Sequence, residues 1–201
     1  MKKVTMLVSG GIGSGKSYIL NTFNAMGVPS YDADSRAKGL YDTDVELLRS
    51  VVAVAGRDVL DADGYLDRKA LAAKIFSSSC VKERVEALVH PAVMRDFAAW
   101  RERQASDMVI MESAILLEHP QLLKAIDYKV VVTAPQDVRI KRVGARDNTT
   151  SEQVLSRISS QWSDERRVAM ADFVIENDGV KPILPQIVVI LEFIKNKEHL
   201  F

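Results

Sequence analysis

The chain has 201 residues, 47% of them hydrophobic and 27% charged, which suits one compact globular domain with room for an inserted subdomain. Lysine plus arginine and aspartate plus glutamate number 27 each, so a formal charge near zero argues against a polyanion-binding surface spread over the molecule, and no nucleic-acid partner is expected. The single cysteine, Cys80, excludes an intrachain disulfide and points to a reducing compartment, and its thiol is expected as a small buried group.

The first residues, MKKVTMLVSGG, are basic and then apolar, but the apolar run is too short for a signal segment. No stretch nears the ~20 apolar residues of a membrane span, so a cytoplasmic protein with no membrane partner is expected. Val4–Val8 reads as a buried strand and Lys16–Met26 as a helix with Ile19, Leu20, Phe23 and Met26 on one face, closed by Gly27. Val28–Tyr31 is a second strand, ending in Asp32-Ala33-Asp34. A mainly helical stretch follows to about Gln104, with a turn at Asp63-Gly64 and Asp67 as a helix N-cap. Met108–Met111 is a strand with Glu112 at its end, and Tyr128–Pro135 is a β-branched run. Val138–Asp147 reads as a basic helix, Asn148–Thr150 as a turn and Ser151–Ala171 as one helical stretch. Phe173–Ile175 is the last strand, Asn177–Gly179 a turn and Pro182–Asn196 an apolar-periodic helix. Five continuous apolar strands alternating with helices suit a parallel sheet covered on both faces. The helical block after the second strand is too long for one crossover and is expected as a subdomain. His90, His119 and His199 are scattered and form no metal-ligand pattern.

Four glycines fall within the six residues Gly10–Gly15, where they build no core and cost backbone entropy. Gly10-x-x-x-x-Gly15-Lys16-Ser17 matches the Walker A pattern, and it follows a strand and opens a helix. Glycines let backbone N–H groups turn inward around a phosphate at a helix N-terminus, where the dipole favours negative charge. The expected nucleotide-binding set is Gly11, Ile12, Gly13, Ser14, Gly15, Lys16 and Ser17. Lys16 neutralises β- and γ-phosphate oxygens and the Ser17 hydroxyl ligates Mg²⁺. Asp34 follows the second strand, at the edge of an open sheet where ligands collect. It can take a proton from an attacking hydroxyl or orient it; the plainer alternative for Asp32 and Asp34 is helix capping. Arg139, Arg142 and Arg146 share a helical face, suited either to a lid over the γ-phosphate or to a solvated basic surface. Glu112 reaches Mg²⁺ through water, or caps the helix after it.

Taken together, SGGIGSGKS, YDADSRAK, DGYLDRKALAAKIF, His90-Pro91, ESAILLE, RVGARD and ADFVIENDG, in this order and spacing, resemble the dephospho-CoA kinase family. The resemblance runs from about Val4 to Gly179. It implies an α/β fold: a P-loop NTPase-type doubly wound parallel sheet with a helical acceptor-binding subdomain and a helical lid. The core falls at about 1–34 and 105–201, the CoA-binding subdomain at about 35–104 and the lid at about 138–150. It implies ATP-dependent phosphorylation of the ribose 3′-hydroxyl of dephospho-coenzyme A, with ATP and Mg²⁺. Asp34 then corresponds to the proposed general base, Arg142 approaches the phosphates, and Asn177 lies near the adenine. Leu66-Asp67-Arg68 and His90-Pro91 belong to the acceptor subdomain, where Arg68 meets the acceptor. Three positions depart from the family pattern. Ser9 stands where threonine is usual, Ala114 where proline is common, and Tyr18 where a smaller residue is usual. The alternatives are a nucleoside monophosphate kinase, with Arg36 and Arg68 recruited to an acceptor phosphate, and a nucleotide-dependent switch, against which the missing N-K-x-D motif speaks. A monomer or small homo-oligomer is expected.

Overall fold

Val, Met and Leu side chains fill Val4–Ser9, and all six positions are buried, so this segment forms β1 with a partner on each edge. In the computed structural model, which describes residues 3–200, β1 pairs in parallel with β3 (Met108–Glu112) and with β4 (Tyr128–Thr133). The order is β2-β3-β1-β4-β5, with β2 at Ser30–Asp32 and β5 at Phe173–Glu176. The chain leaves β1 toward one side of the sheet and returns on the other, so β1 marks the switch point at which α/β sheets bind ligands. The register sets Val8 beside Glu112 and Ser9 beside Val131, so the ends of β1 and β3 stop level with each other.

The chain divides into two compact units, residues 1–31 with 104–201 and residues 32–103. In the first, Met6, Val8, Ile110, Val130, Val132 and Ile175 of the sheet cluster with Ile19 and Phe23 of α1 (Lys16–Ala25) and with α9 (Ile183–Glu198). The buried residues of α9, Ile183, Ile187, Ile190, Leu191 and Ile194, recur at helical spacing. Fully burying one such side chain contributes about 1.5–3 kcal/mol. Gly27, at φ 83°, ends α1 in the left-handed conformation, and the next residue's N–H, that of Val28, returns to the Phe23 carbonyl at 3.0 Å. The remaining helices of this unit are α6 (Gln136–Asp147), α7 (Ser151–Ser159) and α8 (Asp164–Val168).

In the second unit the spine is α5 (Ser79–Glu102), against which α2 (Ala33–Thr43), α3 (Val45–Ala55) and α4 (Arg68–Ser77) pack. Leu47, Val51, Val59, Leu71, Val85, Val93 and Phe97 are buried. Each helix has a side-chain cap: Asp32 accepts from Ser35 N, Asp44 from Leu47 N, Asp67 from Lys69 N and Ala70 N, and Ser78 from Val81 N.

Three sequence expectations shift. The second strand runs Ser30–Asp32, not Val28–Tyr31, because Val28 and Pro29 complete the turn out of α1. The expected helix Ser151–Ala171 is broken between Ser159 and Asp164, where the Ser163 hydroxyl caps a new helix by accepting from Arg166 N. Cys80 is exposed, not buried, because it stands in the first turn of α5. Among the described residues no helix is long and apolar enough to cross a membrane, and no group of three or more His, Cys, Asp or Glu side chains is placed to hold a metal ion.

Candidate active site

The glycine-rich loop joins β1 to α1, and the protein grips it from outside by its carbonyl oxygens. The Ile12 carbonyl accepts from Arg139 Nε at 2.8 Å. The Ser14 carbonyl accepts from Asn177 Nδ2 at 2.8 Å and from Arg142 Nη1 at 3.4 Å, and the Gly13 carbonyl lies 3.5 Å from the same nitrogen. In a trans peptide the N–H points opposite to the C=O, so gripping these carbonyls turns the N–H groups of Gly13, Ser14 and Gly15 the other way. One of them, Ser14 N–H, closes a turn onto Gly11 O at 3.2 Å.

Two observations fit this loop to a bound anion. First, α1 starts at Lys16 with no side-chain cap on Gly15 and no acidic residue in its first turn, so the positive end of its dipole meets no negative side chain of that turn and favours an anion. Second, Gly15 sits at φ 93°, and a Cβ there would come within 2.1 Å of Asn177 Nδ2, so the loop's grip on Asn177 requires glycine.

Lys16 Nζ donates to Gly10 O at 3.0 Å and lies 3.5 Å from Glu112 Oε1. Both side chains are mostly buried, and the end of β3 therefore holds the lysine beside the loop. Ser17 is exposed on the first turn of α1. Ser17 and Glu112 are an oxygen donor pair of the kind that suits Mg²⁺. The Tyr18 side chain is 62% exposed, so its bulk goes to solvent. Where proline is common, Ala114 follows a turn made by Ser113, whose hydroxyl accepts from Ile115 N at 3.3 Å.

The basic helix expected over Val138–Asp147 is α6, but its arginines do not form one solvated face. Arg139 is only 5% exposed and pairs with Asp164 at 3.0 Å. Arg142 donates to the Asn177 carbonyl at 3.1 Å and to Asn177 Oδ1 at 3.3 Å. Arg146 is exposed and pairs with Asp147 at 2.7 Å. Hydrogen bonds from Arg146 and then Arg157 hold the Asp147 carboxyl well below the usual carboxylate range. Asn177 also lines a recess of about 270 Å³ with Thr133, Ala134, Pro135, Glu176 and Asp178, at the ends of β4 and β5.

Sequence reading missed a group behind the loop. Gln161 Oε1 accepts from Ile12 N at 2.9 Å. Arg167 is fully buried, with Asp164 at 3.6 Å and Glu118 at 3.8 Å. Burial pushes its guanidinium below its ordinary value, and Asp164 and Glu118 pull it back. The break between α7 and α8, which brings Gln161 here, has no signal in hydrophobic periodicity.

The other expected site residues lie in the helical unit. Asp34 is exposed in the first turn of α2. Arg68 opens α4, donates to Lys38 O at 3.2 Å and pairs with Asp42 at 2.6 Å. His90 is half-buried in α5, next to Pro91 within the helix.

The model of the family described as dephospho-CoA kinase matches residues 4–182 of this chain. The chain belongs to the dephospho-CoA kinase family. The dephospho-CoA kinase of Bacteroides fragilis strain YCH46 is 38% identical over 193 residues, covering 96% of this chain and 93% of that protein. That of Porphyromonas gingivalis is 36% identical over 195 residues, covering 96% of each. The crystal structure of TT1252 from Thermus thermophilus superposes with a TM-score of 0.84 at 29% identity, covering 95% of this chain and 97% of that one. The five-stranded parallel sheet is that of a P-loop kinase, as read from the sequence.

Proposed function

We propose that this dephospho-CoA kinase family member transfers the γ-phosphoryl of ATP to the ribose 3′-hydroxyl of dephospho-CoA through its glycine-rich loop, Lys16, Arg142 and Asp34. The observation that carries this reading is the loop gripped by its carbonyls, with Lys16 held at its edge by Gly10 O and Glu112. The loop Gly11–Ser17 receives the triphosphate, with the N–H groups of Gly13, Gly15, Lys16 and Ser17 as donors and Ile12 and Ser14 holding its shape. Lys16 leaves Glu112 for the β- and γ-phosphate oxygens. Transfer spreads charge over the γ oxygens, and positioned cations stabilise it. Arg142 holds the Gly13 and Ser14 carbonyls from α6, and rotation of its long side chain to the N–H side of the loop brings its charge to the phosphates. Ser17 and, through water, Glu112 would hold Mg²⁺, which supplies charge neutralisation at the β- and γ-oxygens.

Asp34 orients the 3′-hydroxyl and accepts its proton as the new P–O bond forms and the bond to the leaving ADP oxygen breaks. Arg68 and His90 bind the acceptor within the helical subdomain, about 35–104. The recess beside Asn177 takes the adenine. The lid is about 138–150, joined to the loop through Arg139 and Arg142. The protein is cytoplasmic, a monomer or small homo-oligomer, and binds neither nucleic acid nor membrane.

The test is to mix the protein with ATP, Mg²⁺ and dephospho-CoA and follow mass. A product heavier by one phosphate, formed faster than from AMP or UMP as acceptors, is expected. Preference for AMP or UMP would make the chain a nucleoside monophosphate kinase. GTP preference with negligible transfer would make it a switch.

A further inference from the structure

Ile12, in the middle of the glycine-rich loop, has both of its main-chain groups taken by side chains. Its N–H donates to Gln161 Oε1 at 2.9 Å, and its carbonyl accepts from Arg139 Nε at 2.8 Å. The two peptide planes that meet at Ile12 are therefore both fixed, and with them the direction of the next donor, Gly13 N–H. Neither Gln161 nor Arg139 lies in the glycine motif.

Behind these two contacts stands a chain of charge in which the arginines are buried and the carboxylates half-buried. Arg139 Nη1 bonds Asp164 Oδ2 at 3.0 Å. The other Asp164 oxygen faces Arg167 Nη1 at 3.6 Å, and Arg167 Nη2 lies 3.8 Å from Glu118. Arg167 Nη1 also donates to the Trp162 carbonyl. The segment that carries Gln161 is set by the cap of Ser163 on α8 and by Arg166, whose guanidinium lies 3.5 Å from the centre of the Trp162 ring. Burying two guanidiniums around a half-buried carboxylate is costly, and an apolar core of the same volume is often as stable or more so. What this chain of charge supplies instead is direction, at hydrogen-bond precision, to one residue of the loop.

We propose that Gln161 and Asp164 are positioning residues for the nucleotide: Gln161 directly, and Asp164 through Arg139, hold the peptide planes at Ile12 so that the loop receives the triphosphate without rearranging. The proposal rests on the reading that ATP binds at this loop. Preorganised donors bind an incoming anion without the cost of ordering them first, so losing one anchor weakens nucleotide binding while the acceptor is unaffected.

The experiment compares the full-length wild type with Gln161→Met, which keeps the length but removes the acceptor oxygen, and with Asp164→Asn, which removes the charge that orients Arg139. Gln161→Met is expected to raise KM for ATP about tenfold, because the loop must then be ordered at Ile12 as the nucleotide binds, and Asp164→Asn about threefold. KM for dephospho-CoA stays within about twofold of wild type in both. A third variant, Tyr128→Phe, removes the phenol that bonds Glu198 on the C-terminal helix and serves as the purely structural control. It lowers the melting temperature and leaves both KM values alone. An unchanged KM for ATP in Gln161→Met and Asp164→Asn, or KM values for ATP and acceptor that rise together, overturns the proposal. If Gln161→Met does not fold, Asp164→Asn decides by the same criterion. If the wild type transfers no phosphate to dephospho-CoA, that function fails on its own, and ATP binding by equilibrium dialysis decides this one. Weaker binding by the two variants upholds it and equal binding overturns it.

Discussion

The two units hold their polar side chains by different means. In the sheet unit, Arg139, Arg142, Asn177 and Gln161 are at least partly buried, and each bonds main-chain atoms of the glycine-rich loop. In the helical unit the charged residues pair with one another near the surface: Arg36 with Asp96 at 2.7 Å, Arg68 with Asp42 at 2.6 Å and Lys74 with Asp58 at 2.7 Å. Side chains bonded to backbone in a buried setting lock a geometry. Exposed pairs contribute only about 0–1 kcal/mol each and exchange readily with solvent and salt. The sheet unit is thus built around one fixed shape. The helical unit presents charges that a ligand can recruit at little cost.

This contrast breaks first at Lys16. Replacing it by Met is expected to lower kcat about 10³-fold in steady-state assays, because a preorganised cation has no substitute in a fixed site. Asp34→Asn comes next, with kcat lower by about 10²-fold and ATP affinity unchanged by equilibrium dialysis. The effect sits at the low end for a general base because a loose transition state asks for little early proton removal. An unchanged kcat removes Asp34 from the mechanism.

Gly15→Ala sharpens the comparison by attacking shape alone. The new Cβ meets Asn177 Nδ2 at 2.1 Å on a backbone at φ 93°, and a loss of roughly 2–3 kcal/mol in denaturant unfolding is expected, together with weaker ATP binding. Arg68→Ala tests the other side. Stability should stay within about 0.5 kcal/mol of wild type, while KM for dephospho-CoA rises several-fold. An equal loss of stability at Arg68 would erase the distinction between the units.

The smallest effect at neutral pH concerns Tyr128, which is buried and bonds Glu198. Burial first, and then the carboxylate, push its phenol up to about 12. The folded state therefore holds this proton more tightly than the unfolded one. Stability is unaffected below the ordinary tyrosine range near pH 10 and is lost as pH rises from there through about 12. Ultraviolet titration should show a late-ionising tyrosine, and Tyr128→Phe should remove it.

Much of the fold is readable in the linear chain where its signals are local. Val4–Val8 is apolar throughout, and the glycines and Lys16 come at once after it. Glu112 at the strand end and Asp67 at a helix start are dictated by neighbours in sequence, and the structure bears out both. The features that escape depend on partners far along the chain. Whether Arg139 lies in solvent or in the interior is decided by Asp164 and by the Ile12 carbonyl, and a helical wheel contains neither. Gln161 belongs to no motif, and its place is set by a helix break that Ser163 makes possible. Residue type alone puts Cys80 inside, yet the start of a long helix leaves it in solvent.

Asn177 belongs at once to the hollow beside β4 and β5 and, through its amide, to the Ser14 carbonyl. A small molecule wedged into that hollow and displacing the amide would slacken the turn that α1 grows from, without touching a phosphate oxygen. Such a compound would act on the nucleotide twice, by filling the place proposed for the base and by loosening the cradle, and its potency would track how far it pushes one side chain rather than how much of the triphosphate it imitates.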